Sequence, residues 1–331
     1  MTSGFPARYS LSTKREGWRP ADGDRCQTMK RVLVVHFSQT GQLARIARRI
    51  ASPLAGSAEI ELVEEVLRPR TPYPFPWPLL RFFDAMPEAV LLDAPLLEPV
   101  AAEGDFDLVV LAYQVWFLSP SGPTTAFLKS DQGKRLLRGR PVVTVIACRN
   151  MWLNAQETVK QLIQEAGGEL RDNVVFTDRA PTLATLITTP RWLLTGKRDG
   201  FLGLPPAGIA EQDIAGAERF GHALVRALRD GREKRDGPML GGLGAARVDP
   251  RLIFSERAGK RAFGAWSRII RLGGAPGSLL RLPLVVLFCL YLVAMILAVV
   301  PASLLLQRLL RPLLARRLES QKTYFELPSG H

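Results

Sequence analysis

Between residues 30 and 230 the chain repeats one pattern: a short apolar, β-branched run, a turn, then a stretch with helical period. Few folds accept that alternation. Val32–Phe37 (VLVVHF) is a nearly continuous apolar run of strand length, the form taken by a strand buried on both faces of a parallel sheet. His36 within it reads as a core or supporting residue. Leu43–Leu54 follows as a helix, with Leu43, Ile46, Ala47 and Ile50 on one face and Arg45, Arg48 and Arg49 on the other. Further strands are predicted at Glu59–Val63, Phe106–Ala112, Pro141–Ala147 and Asn173–Phe176. Helices are predicted at Pro123–Lys129, Asn154–Glu165 and Ala215–Leu228. Five strands alternating with helices call for an α/β fold, a doubly wound sandwich with a parallel sheet.

Two stretches interrupt the rhythm. Residues 71–99 are dense in Pro and aromatics, and residues 183–206 (LATLITTPRWLLTGKRDGFLGLPP) form a second insertion. Each reads either as irregular cover over the sheet or as a lid for a hydrophobic substrate, because apolar loops are costly to leave exposed. Residues 1–29 are polar and rich in Ser, Gly, Arg and Pro, without the apolar centre of a signal peptide; they read as a disordered leader, and Met29 stands where a start codon would fit. Residues 231–280 read as a Gly-rich linker followed by a basic juxtamembrane segment.

The chain of 331 residues has a net charge of +13. Residues 250–331 alone hold 12 Lys and Arg against three Asp and Glu. The same quarter contains 25 uncharged residues, Leu282–Leu306, which is long enough to cross a bilayer. Basic residues flanking such a run suit a membrane surface, and no zinc-finger, RRM or KH signature argues for nucleic acid. Beyond Pro301 lies LLLQRLLRPLLARRL, basic and amphipathic, so residues 281–318 read as a span ending in an interfacial helix or as a shallow hairpin in one leaflet, with 319–331 as a tail. The main domain is then expected on the cytoplasmic side of a bacterial inner membrane. Cys26, Cys148 and Cys289 are far apart, as are His36, His222 and His331, so neither a disulfide scaffold nor a metal centre is expected.

In a doubly wound sheet, ligands bind beyond the carboxyl ends of the strands. The first such end is Ser38-Gln39-Thr40-Gly41-Gln42-Leu43. A phosphate there would meet free N–H groups at a helix N-terminus, with the Ser38 and Thr40 hydroxyls as further donors and Gly41 allowing close approach. The GK[ST] ending of a P-loop is missing, and so is GxGxxG, which disfavours ATP hydrolysis and dinucleotides. A single monoester phosphate suits the loop; the same hydroxyls would also cap an ordinary strand-to-helix turn.

The segment VVHFSQTGQLARIA resembles the phosphate-binding loop of the flavodoxin family, [ST]-x-T-G-x-[ST] after the first strand. Ser38, Thr40 and Gly41 match; Leu43 stands where a hydroxyl is usual. The resemblance covers roughly residues 30–230. It implies a flavodoxin-like five-stranded parallel sheet of order 2-1-3-4-5, with FMN held noncovalently where the order reverses. It further implies that Gln114, Val115, Trp116 and Phe117 after the third strand carry the flavin ring, with Trp116 or Phe117 stacking on it and Gln114 reaching its polar edge. As an alternative, these aromatics are core at a strand end. The resemblance also implies that the segment after the fourth strand is the third flavin loop, where Arg149 or Asn150 would face flavin or substrate; Cys148 beside them lacks a His placed in sequence to activate it. The segment YQVWFLSPSGPTTAFLKS, the extra length before the third strand and the apolar tail resemble flavodoxin-like dialkylresorcinol condensing enzymes, which accompany a ketosynthase and for which an aromatase role is proposed. Three functions follow: an FMN-dependent oxidoreductase on a membrane-delivered hydrophobic substrate, an electron carrier, or a scaffold without cofactor. Flavodoxins that carry electrons are acidic, and this domain is not. No residue is singled out for acid–base catalysis.

Overall fold

The computed structural model describes residues 29–327, with the backbone alone over 299–318; the expected leader lies outside the described residues apart from Met29. Seventeen elements follow in order: β1 (Lys30–His36), α1 (Gln42–Ala55), β2 (Ile60–Val66), α2 (Leu79–Asp84), α3 (Met86–Val90), β3 (Leu108–Trp116), β4 (Ser119–Pro120), α4 (Gly122–Lys129), α5 (Asp131–Leu137), β5 (Pro141–Cys148), α6 (Leu153–Glu165), β6 (Glu169–Thr177), α7 (Thr182–Thr195), α8 (Glu211–Ala215), α9 (Glu218–Arg229), α10 (Pro250–Arg271) and α11 (Leu282–Glu326). The sheet runs β2-β1-β3-β5-β6, and every one of these neighbours is parallel. With the two-residue β4 set aside, this is the expected flavodoxin-like order 2-1-3-4-5.

Alternate residues of each strand feed opposite layers, as strand geometry requires. Val32, Val34, Leu108 and Val110 pack with Leu43, Ile46 and Ile50 of α1 and Phe220 and Leu224 of α9. Leu33, Val35, Val109 and Leu111 pack on the other side with Phe127, Leu137, Val159 and Ile163.

Four stretches differ from the sequence reading. The third strand continues through Trp116 and doubles back on β4, pairing Trp116 with Ser119. The turn residues Phe117 (φ 49) and Leu118 (φ 60) are both left-handed, the handedness a two-residue hairpin needs. The predicted helix at Ala215–Leu228 is divided into α8 and α9 at Gly216. Half of the 183–206 insertion is helix α7, which runs through Pro190. Residues 231–244 pack rather than dangle: Glu233, Met239 and Leu240 are buried, and both Asp172 carboxylate oxygens accept backbone N–H groups, from Leu240 at 3.1 Å and Met239 at 2.7 Å. A buried carboxylate needs such donors, and this return strap supplies them.

A third, separate cluster lies outside the sheet. Met86 and Val90 of α3, Ile270 of α10, and Val285 and Phe288 of α11 are buried together. Arg281 closes it: its guanidinium is buried, grips both oxygens of Glu88 at 3.2 and 3.1 Å, donates to the Asp84 carbonyl, and faces the Asp84 carboxylate at 3.0 Å. Within α11 and the turn before it, Leu279–Ala298 has mean hydropathy 2.5, long and apolar enough to cross a membrane. The backbone stays helical through Pro301.

Candidate functional site

The order reverses between β1 and β3, so the crevice beyond their carboxyl ends is where the topology leaves room for a ligand. After His36 the chain turns through Phe37–Thr40 into α1. Gly41 caps that helix with φ 80, and no side chain caps it. The N–H groups of its first turn therefore lack partners within the helix, at the positive end of its dipole. A Cβ at Gly41 would meet nothing within 4 Å, so the approach is open. The Ser38 hydroxyl is buried and has no hydrogen-bond partner among the described residues. A buried unpaired hydroxyl costs about 1–3 kcal/mol, so an acceptor arriving at this bend would relieve it.

The other loop residues have different roles. Gln39 is a clamp: its N–H donates to the Gln114 side chain at 2.9 Å, and its amide nitrogen donates to the carbonyls of Pro74 and Tyr73. Gln42 is buried and exchanges two hydrogen bonds with the backbone of Ile209, at 2.9 and 3.1 Å. The Leu43 side chain lies wholly in the core, which leaves its backbone N–H as its only offering. Thr40 is half-buried.

The segment after the third strand splits in two. Gln114 anchors the 38–43 loop, and Val115 packs against the second core. Trp116 stands nearly perpendicular to Phe37, Tyr73 and Trp77, at centroid distances of 5.9, 4.9 and 6.0 Å. Phe117 turns instead to Phe82, Phe83 and Phe263, at 4.7, 6.2 and 6.2 Å, so its ring belongs to the third cluster. Tyr73 and Trp77 were not singled out from sequence as site residues; the run TPYPFPWP was their only signal. Burial, with a smaller push from Glu88, raises the Tyr73 hydroxyl to about 12, so it stays protonated as a donor.

At the end of β5, Asn150 is occupied locally, accepting from the Met151 N–H at 2.8 Å. Arg149 is half-buried and its guanidinium makes no hydrogen bond among the described residues. Burial lowers its pKa, opposed by Cys148 and by the Asp178 carboxylate. Burial also pushes the Cys148 thiol far up, so it is no thiolate nucleophile. His36 Nε2 lies 2.8 Å from Glu64, and its Nδ1 is buried without a partner among the described residues.

A second set of residues was not legible beforehand. Asp178 accepts from the Gly208 N–H at 2.8 Å and the Ala180 N–H at 2.9 Å. Gly208 has φ +85, and a Cβ there would lie 2.5 Å from Gln42 Oε1 and 2.7 Å from the Trp192 ring. The loop after α7 is thereby clamped to the start of α1. The 71–78 loop is clamped through Gln39, and the Trp77 N–H donates to the Leu193 carbonyl, joining the two insertions to each other. The first insertion thus meets the 38–43 bend directly, and the second is joined to it through Gly208 and Ile209, just beyond its end.

No protein-family model matches the sequence, and a comparison with curated proteins returns no relative. Among solved structures, the chain is similar to a flavoprotein in complex with FMN from Lactobacillus acidophilus NCFM, at 16% identity and TM-score 0.36, over 44% of this chain and 93% of that one. It is also similar to flavodoxin 1 from Bacillus cereus, at 14% identity and TM-score 0.32, over 60% of this chain and 98% of that one. A flavodoxin from the domain Archaea is 9% identical at TM-score 0.33, over 61% and 99%.

Proposed function

We propose that this chain binds FMN and works as a flavin-dependent oxidoreductase on a hydrophobic substrate at a membrane surface. The observation that carries the cofactor is the buried, partnerless Ser38 hydroxyl beside an uncapped helix N-terminus with an open glycine, at the point where the strand order reverses. A phosphate monoester fits that donor set. Ser38, Thr40 and the first-turn N–H groups of α1 would hold it, with the unpaired Arg149 available to a second anionic edge or to substrate. When bound, FMN supplies hydride and single-electron transfer.

The protein's own residues do the rest. Gln114 and Gln39 fix the bend, so its donors are placed before any ligand arrives. Trp116 packs edge to face on Tyr73 and Trp77, an apolar group beside the bend, to which Gln39 ties the Tyr73 carbonyl, and an aromatic there suits a flat heterocycle. The apolar α11 supports a membrane-delivered substrate, with the α/β body on the cytoplasmic face of the inner membrane. Within this reading, the match of YQVWFLSPSGPTTAFLKS to the dialkylresorcinol group favours aromatisation of a cyclic dione supplied by a ketosynthase. A second reading, a scaffold without cofactor, is favoured by the loss of two side chains from the donor set, since Leu43 is core and Gln42 is occupied.

Full-length protein in detergent should be yellow and release FMN on denaturation, or take up added riboflavin 5′-phosphate saturably. Colourless protein with no uptake would overturn the flavin reading and favour the scaffold. Turnover of an alicyclic dione with a nicotinamide donor or a quinone acceptor separates an oxidoreductase from an electron carrier.

A further inference from the structure

α11 meets the α/β body at both of its ends. At its start, buried Arg281 is held by Asp84 and Glu88, and Phe288 packs on Phe83 and Phe263 at 5.7 and 6.0 Å. At its finish, the Tyr324 hydroxyl donates to Glu157 of α6 at 3.1 Å, and Lys160 sits over the Tyr324 ring. Phe325 packs on the second core, and Glu326 accepts the buried N–H of Val248 at 3.0 Å, just before α10. Between these ties, the outward face carries Leu282, Val286, Leu287, Leu290, Val293 and Leu297, all exposed. Over residues 282–297 the spacing is that of one helix stripe, and no charged residue interrupts it.

We infer that α11 does not cross the bilayer but lies within one leaflet, along the membrane surface, with both ends on the side of the α/β body; this rests on the membrane reading above. A crossing helix places its ends on opposite surfaces, separated by about 30 Å of hydrocarbon. One folded body cannot hold both ends of such a helix. Lipid, rather than a second copy of the chain, is the occupant the surroundings favour. Leu272, Leu279 and Leu280 stand 86%, 84% and 75% exposed on the turn leading into α11, adding to the exposed apolar surface at its start. A cavity of about 450 Å³ on α10 is lined by Lys260, Arg261 and Arg268 beside Val90 and Leu91. Exposed leucines at the end of the helix that carries these cations match the chemistry of acyl chains beneath anionic headgroups.

The test uses the full chain with Cys26, Cys148 and Cys289 replaced by alanine. Gln164→Cys on α6 and Ser320→Cys near the end of α11 serve as single reporters. Each protein is added to preformed, sealed phosphatidylethanolamine/phosphatidylglycerol vesicles, floated, and treated with a membrane-impermeant maleimide. Equal labelling of the two reporters in the floated fraction is expected. Protection of Ser320→Cys with Gln164→Cys labelled would overturn the inference while leaving membrane binding intact. Failure to float, with a dimer in lipid-free solution, would refute the membrane reading itself and this inference with it; FMN content read on the same sample keeps the cofactor question separate. Arg261→Ala with Arg268→Ala should weaken partitioning onto phosphatidylglycerol vesicles by roughly 25-fold, about five-fold for each cation; unchanged partitioning would remove the case for lipid headgroups at that cavity.

Discussion

Ser38→Ala should move stability and affinity in opposite directions. The hydroxyl is buried with no partner, so the ligand-free fold already bears its desolvation, about 1–3 kcal/mol. Replacing it with a methyl removes that cost and leaves only a small void. The ligand-free variant should therefore be as stable as the parent or more stable, by up to about 1–2 kcal/mol, a rise of a few degrees in Tm for a domain of this size. With the phosphate bound, the same hydroxyl would donate to an anion, worth roughly 1.5–3 kcal/mol. Its loss should weaken FMN binding about 10- to 150-fold, since each 1.4 kcal/mol is tenfold. Fluorescence quenching on titration with riboflavin 5′-phosphate reads the affinity, and calorimetry of ligand-free protein reads the stability. A variant with lower Tm and unaltered affinity would refute the reasoning, because Ser38 would then be a structural residue of an ordinary turn.

Gly208→Ala forces a side chain into a left-handed backbone and against Gln42 and Trp192. Chemical denaturation should show a loss of at least about 2 kcal/mol. Asp172→Ala strips two buried N–H groups, of Met239 and Leu240, of their acceptors; a loss of roughly 2–4 kcal/mol is expected, with faster proteolysis within 231–246. The Glu256–Lys260 pair should shape the pH profile. Burial raises Glu256 from 4.5 to about 7 despite its bonds from Asn154 and Leu153, so the native state keeps a proton that the unfolded chain releases, and stability falls as pH rises between those values. Burial lowers Lys260 from 10.5 to about 8 against the pull of Glu256, so the native state loses its proton first and stability climbs again from about 8 to 10.5. Glu256→Gln keeps an acceptor for Asn154 and should flatten the acid side of that minimum in denaturation curves taken across pH.

The geometry of the candidate site was legible in part. The 38–43 bend could be found because strand, hydroxyls, glycine and helix are consecutive, and their geometry depends on neighbours a few residues away. Trp116 and Phe117 could not be separated in the same way. They are adjacent in sequence, yet the left-handed turn that begins at Phe117 sends one ring to Phe37 and Tyr73 and the other to Phe263 of α10. The Gln42–Ile209 clamp was invisible for a related reason: its partners are 167 residues apart, and neither has a distinctive residue type.

The sequence by itself determined the alternation of strands and helices, hence a parallel sheet, and the apolar character of the tail, because periodicity and turn chemistry are local properties of the chain. The order of the strands came only with the resemblance of the 38–43 bend to flavodoxins. Only the tertiary structure decided what each surface is packed against. It tied the two insertions to each other and, through Gln39 and Gln42, to the bend, drew residues 231–246 onto the sheet, and brought Glu326 back to Val248. Those pairings answer to which buried donors and apolar faces remain uncovered once the sheet has formed, and no local stretch of sequence carries that information.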